Sequence, residues 1–313
     1  MNIIKSGSRL LLAVGLSVAT IPAQALDPQY SAARYAQLLT IVTRPNIAAV
    51  TVDVEDPRGD TTYDVFKLPL WYEFNIDGWK GKLILRTTLG YMRSNQRQPW
   101  PAGDSLEMID SAWESFGGVL GFGVRIPLGS GFSFEPTLSF GLANLEYDAA
   151  IREMPTAVAV TPEADGLKYS WDLDAMILSS TLGLTYDGNL GGKFDLDADG
   201  IYNHSYVSSY RTKSDLQDFS DHTHNITIKA DISYPLGVSV ARIPLHGVLH
   251  LGSTTFFGAS SDVLGFSNFN EVGFSIRTDI SKLKSPFSSL SLGAMVVFGD
   301  NISGWGLLAG YSF

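Results

Sequence analysis

Cysteine is absent from the 313 residues, which excludes a disulfide scaffold, a thiolate metal site and a cysteine nucleophile. Charge is sparse. Asp, Glu, Lys and Arg make up 17% of the chain, against roughly 25% in soluble domains. Positive charge is the scarcer sign: 22 Lys and Arg stand against 32 Asp and Glu, a net charge of −10. That balance argues against nucleic acid as a partner. Long apolar runs are missing as well. Beyond residue 25 nothing approaches the roughly 18 consecutive apolar residues of a membrane-spanning helix, so a helical membrane protein is excluded. What is plentiful is moderate: 45% hydrophobic residues, 12% aromatics and 31 glycines.

The first 25 residues read as a secretory signal. Lys5 and Arg9 are basic, Leu10 to Ile21 form an apolar core too short to span a bilayer, and Ala23-Gln24-Ala25 is an A-x-A cleavage site. Cleavage would start the mature chain at Leu26, and losing Lys5 and Arg9 would take the net charge from −10 to −12. Residues 26–45 form a second segment. Asp27 can cap a helix that has Pro28 at its first position and runs to Thr43, where Arg44-Pro45 ends it. About twenty mature residues then precede the first strand, too few for an exported domain.

From Asn46 to Phe313 the sequence alternates with period two. Phe66, Leu68, Leu70, Tyr72, Phe74 and Ile76 fall on one face, and Lys67, Glu73 and Asn75 on the other. Ile226, Ile228, Ala230, Ile232 and Tyr234 oppose Thr227, Lys229, Asp231 and Ser233. Val272, Phe274 and Ile276 oppose Glu271, Ser275 and Arg277. The stretches run to about 10–15 residues, longer than soluble strands. Short connections near Asp77-Gly78, Gly129–Gly131, Gly188–Gly192, Leu236–Arg242 and Ser281–Pro286 alternate with long ones. The long ones fall near Arg93–Ala112, Asp148–Leu167, Ser208–His222 and Gly258–Gly265. Short periplasmic turns and long outer loops are the pattern of an all-β transmembrane antiparallel barrel. Closure follows because an unpaired sheet edge cannot face lipid. The parity predicts about twelve strands, both ends on the periplasmic side, and the short N-terminal helix as a candidate plug inside the lumen. Pro69, Pro136 and Pro244 fall inside predicted strands and are expected at bulges.

The polar face supplies the candidate site. Lys67, Glu73, Arg86, Asp195, Asp197, Asp199, Lys229, Asp231 and Arg277 are expected to face the lumen. Asp195-Leu-Asp197-Ala-Asp199-Gly200 opens like a calcium-binding loop, but its twelfth position is Tyr206 and no helices flank it. The aspartates therefore read as one acidic wall, about 7 Å apart along the strand, with Lys193, Lys229 and Arg86 as neutralising partners. His222 and His224 lie near an outer loop beside Asp218 and Asp221, and His246 and His250 read as lumen polar groups. No metal site and no cofactor are assigned. His204 and Ser205 point to opposite faces and cannot pair as base and nucleophile. A rim hydrolase using Asp218, Asp221 and His222 is the remaining catalytic reading, and the chain is expected not to be an enzyme. Trp71, Trp79, Trp113, Trp171 and Trp305 read as interfacial girdle and rim.

A short helix, about twelve strands and a terminal aromatic together resemble the translocator barrel of autotransporters. Gly306, Tyr311 and Phe313 resemble the terminal-strand signal read by the barrel-assembly machinery, with Leu308 where that signal often has glycine. With no room for a passenger, the chain resembles the solitary autotransporter-like barrels. The resemblance implies a Gram-negative outer-membrane protein, porin-like in shape, in contact with outer-membrane lipids and lipopolysaccharide. Its role would be structural or interactive, through the loops and a surface partner. The alternative is a small diffusion channel for cations or small solutes, favoured by the acidic wall.

Overall fold

The computed structural model describes residues 46–55, 60–102, 105–152, 170–212, 218–240, 243–257, 264, 266–281 and 287–312. The expected signal peptide, the helix over 28–43 and Phe313 lie outside the described residues. The strands are β1 (Asn46–Val54), β2 (Asp60–Asn75), β3 (Lys82–Ala102), β4 (Ser105–Gly129), β5 (Phe132–Arg152) and β6 (Ser170–Gly191). They continue as β7 (Phe194–Arg211), β8 (Ser220–Val240), β9 (Ile243–Phe257), β10 (Asn268–Asp279), β11 (Ser289–Gly299) and β12 (Ile302–Ser312). Neighbours in sequence pair antiparallel, and β1 pairs with β12 from Asn46↔Gly310 to Val54↔Ile302. The sheet is thus a closed twelve-strand barrel, the class and count the alternation predicts. Both chain ends of the barrel lie at one rim, taken as periplasmic from its short turns.

Period two sorts the faces. Phe66, Phe122, Leu138, Phe274 and Leu292 point outward and are exposed, as lipid-facing residues are in a bare chain. Their neighbours turn inward. Towards the outer rim the inner wall is partly apolar: Tyr63, Met92, Trp113, Leu145, Tyr147 and Leu173 belong to one buried cluster. The Trp113 and Tyr147 rings lie 4.3 Å apart within it. On β6 to β9 the same wall carries hydroxyls and amides. Ser179 Oγ meets Ser205 Oγ at 2.8 Å, Thr181 Oγ1 donates to Asn203 at 3.0 Å, and Thr227 meets Thr254 at 3.0 Å.

Three expectations need correction. Arg93–Ala112 is not a loop, since β3 and β4 stay paired up to Ala102↔Ser105. Above the membrane both faces meet water, so Arg93, Asn95 and Arg97 outward and Ser94 and Gln96 inward are all polar. Without an apolar face the period-two signal disappears while the ladder continues. Pro69 and Pro136 are not at bulges, whereas Pro244 borders one. Pro69 pairs with Thr88 on the β3 side, and on the other side the β1 ladder has already ended at Ala48↔Lys67. Pro136 keeps register with Leu182, and its ladder to β4 only skips between Gly123↔Thr137 and Ile126↔Phe134. Pro244 pairs with Ser239, and the register shift near it lies across the pair in β8, between Pro235 and Ser239. Lastly, Trp71 and Trp113 are inside the barrel rather than in a girdle. Trp79 and Trp305 are exposed, and the Trp171 side chain lies outside the described residues.

Candidate functional site

Every candidate lumen residue sits on an inward register position, in two groups on facing walls. The first group is carried by β2 to β5. Glu135, with 1% of its surface exposed, accepts from Arg86 Nη2 at 2.8 Å and from Arg125 Nε. Arg125 Nη1 also meets Glu73 at 2.5 Å, and Lys82 Nζ meets the other Glu73 oxygen at 2.7 Å. The Arg86 guanidinium lies 3.7 Å above the centre of the Trp71 ring, a cation–π contact. Burying Glu135 is tolerable because two guanidinium groups and fixed hydrogen bonds compensate the lost water.

The second group is carried by β7 to β10. Asp199 lies opposite Lys229 and Asp197 opposite Asp231, while Asp195 accepts from Asn189 at 3.0 Å. Lys229 Nζ is 3.4 Å from Glu271. His250 stands between two partners, with Asp231 Oδ1 2.7 Å from Nδ1 and Ser275 Oγ 2.8 Å from Nε2. Arg277 donates to Ser233 Oγ at 3.1 Å. Lys67 is buried on β2, on the inward face. Between the groups a cavity of about 680 Å³ opens at the periplasmic rim, lined in part by Trp71, Glu73, Arg125, Asp231, His250 and Arg277.

The acidic wall expected from the sequence is present as a strand face. Lys229 is the cross-strand neighbour of Asp199 on it, and Arg86 is held on the far wall by Glu135. Arg125 and Glu135 were missed, although alternation alone places Ser133, Glu135 and Thr137 on one face against Phe134 and Leu138.

Among the described residues the outer rim shows no acid–histidine pair of the kind a hydrolase needs. Asp221 is inward on β8 and His222 outward, and Asp218 accepts from Thr212 Oγ1 at 2.6 Å. The outward histidines gather instead with tyrosines. His204 Nε2 is 3.1 Å from His222 Nδ1, the His204 and His224 rings stack at 4.6 Å, and Tyr202 OH is 2.9 Å from His224 Nδ1. Among the described residues no three His, Asp or Glu side chains are placed to hold a metal ion.

The terminal strand closes the barrel. Gly306 faces inward opposite Val50 and Met295. A Cβ there would stand 2.8 Å from Val50 Cγ2 and from the Ala49 carbonyl oxygen. Tyr311 OH donates to the Pro69 carbonyl oxygen, and its ring meets Phe287 at 5.7 Å.

Comparison with known proteins agrees with this geometry. A family model described as "Solitary outer membrane autotransporter beta-barrel domain" matches residues 56–312. The translocator domain of the autotransporter NalP from Neisseria meningitidis superposes with a TM-score of 0.56 at 10% identity, over 93% of this chain and 100% of that one. The transport unit of the autotransporter AIDA-I from Escherichia coli gives 0.55 at 11% identity, over 92% and 99%. These two structures share the fold. Among curated proteins nothing matches.

Proposed function

The chain belongs to the solitary outer membrane autotransporter β-barrel family, and on that premise we propose that it is a plugged barrel. In this reading segment 26–45 fills the lumen and the outer hairpins meet a partner at the cell surface. Family membership puts the barrel in the outer membrane. Export by a cleaved signal over residues 1–25 and assembly through Gly306, Tyr311 and Phe313 by the barrel-assembly machinery are parts of the same proposal, as is contact with lipopolysaccharide around the outward face. A structural and interactive role of this kind needs no chemistry at the outer rim.

The observation that carries the reading is the complete burial of short polar side chains on the inner wall. Ser205, Thr223 and Thr254 have no exposed surface, although all three point into the barrel. Eight strands suffice to fill a barrel with its own side chains, and twelve leave room for more. Short hydroxyl side chains cannot cross that width; wall neighbours cover them in part, as Ser179 does Ser205 and Thr227 does Thr254, and a lumen-filling segment would complete the cover. Thr223 Oγ1 and Asn225 Nδ2, both buried, also lack a partner among the wall residues.

Conductance of the mature chain in a planar bilayer tests this. The whole protein is expected to be silent, and a form lacking residues 26–45 to give steady channel steps. The second reading, a cation-selective diffusion channel, is favoured by Asp187, Asp197 and Asp231 around the periplasmic cavity. It requires cation-selective steps from the intact chain, and those would overturn the plug.

A further inference from the structure

The inner wall holds a hydrogen-bonded relay that neither the family nor the plugged-barrel reading uses. Asp231 on β8, His250 on β9 and Ser275 on β10 lie on three successive strands. Asp231 and His250 are a direct cross-strand pair, and Gly273, two residues before Ser275, is the partner of His250 on the other side. The carboxylate meets Nδ1 at 2.7 Å and the hydroxyl meets Nε2 at 2.8 Å, on opposite edges of one imidazole. A carboxylate at Nδ1 fixes the proton there, which leaves Nε2 as the acceptor of the Ser275 proton. Base, orienting acid and nucleophile thus stand in the order that nucleophilic catalysis requires.

The surroundings suit acyl transfer. All three residues line the cavity of about 680 Å³ that opens at the periplasmic rim, Asp231 and His250 with side chains 28% and 15% exposed and Ser275, 1% exposed, behind the imidazole. Arg277 follows Ser275 by two residues on the same face and lines that cavity too. It gives Nη2 to Ser233, and the guanidinium has further N–H groups to offer an oxyanion. Gly273 leaves the wall beside His250 without a side chain.

We infer that Asp231, His250 and Ser275 form a serine hydrolase centre inside the barrel, acting on small carboxylic esters that enter from the periplasmic side. Ser275 Oγ attacks the ester carbonyl carbon as its proton passes to His250 Nε2. The carbon–oxygen bond to the alcohol breaks, and the alkoxide leaves with that proton. Water then attacks the acyl–Ser275 ester, giving one proton to His250. The carboxylic acid departs as Oγ recovers the proton. Asp231 holds the ring and stays ionised throughout, and Arg277 stabilises each tetrahedral oxyanion.

The test uses the mature chain refolded in detergent, with the folded barrel scored by its heat-dependent gel shift. A fluorophosphonate probe is expected to label Ser275, located by peptide mass mapping, and p-nitrophenyl acetate to be turned over. Labelling and turnover are expected to vanish in Ser275→Ala and His250→Gln. Asp231→Asn, which permits the wrong tautomer, is expected to slow turnover by up to about 10⁴-fold. An unlabelled Ser275 in a folded barrel overturns the inference. So does ester hydrolysis that Ser275→Ala leaves unchanged. Silence of the channel is unaffected by either result, so this centre and the plug fail separately.

Discussion

Glu135 binds two guanidinium groups at once from a position with 1% exposure, and its loss would leave Arg86 and Arg125 facing each other across a vacated site. Removing one partner of such a buried network costs about 3 kcal/mol or more. Glu135→Ala should therefore lower the urea midpoint of the refolded barrel clearly. Lys82→Ala removes a partner of Glu73 whose own side chain is 43% exposed, and should cost under about 1 kcal/mol and leave the midpoint nearly unchanged. At this scale the sequence was readable only in part. Alternation puts Asp195, Asp197 and Asp199 on one face because side chains repeat every second residue. It does not say that Asp231 meets His250 or that Arg86 meets Glu135. Those contacts depend on register between strands, and in the second case on β3 and β5 flanking β4. Period two carries no register.

Each strand is legible to the extent that one of its faces is greasy. β10, β11 and β12 have 12, 11 and 11 residues, close to what a bilayer crossing needs. β3, β4 and β5 have 21, 25 and 21 residues. Their upper parts stand in water on both faces, so the polar stretch of Arg93–Ala112 reads as loop while the backbone hydrogen bonds continue. The terminal strand shows a different constraint. Gly306 has its neighbours within 2.8 Å of where a Cβ would stand. Gly306→Ala should push β12 away from β1 and reduce the folded fraction on refolding, scored by gel shift. Leu307→Ala, on the exposed outward face, should fold as the parent does.

For the molecule as a whole, closure makes the hydrogen-bond ladder continuous through β1 and β12, and that is what the outer membrane demands. The membrane-crossing part is then separable from what rises above it. Joining Arg97 directly to Asp110, which removes the tip of the β3–β4 hairpin, should leave the barrel folded and equally resistant to denaturant. The Arg97–Asp110 ion pair at 3.3 Å shows that the two ends already meet. Class, strand count and location were open to sequence reasoning because lipid imposes them on every strand. The lumen's inner relay was not, because lipid imposes nothing there.

The unequal strands have one more consequence. β3 to β8 have 18 to 25 residues, whereas β10 to β12 stop at 11 or 12. Seen from outside the cell, the described strands form a collar cut on the slant. A large molecule drifting down from the medium touches the high side first. One confined to the plane of the leaflet reaches the opening only across the low side, beside the seam of β1 and β12. The barrel thus has a front and a back, and neighbours in a crowded outer leaflet meet different surfaces according to the direction from which they come.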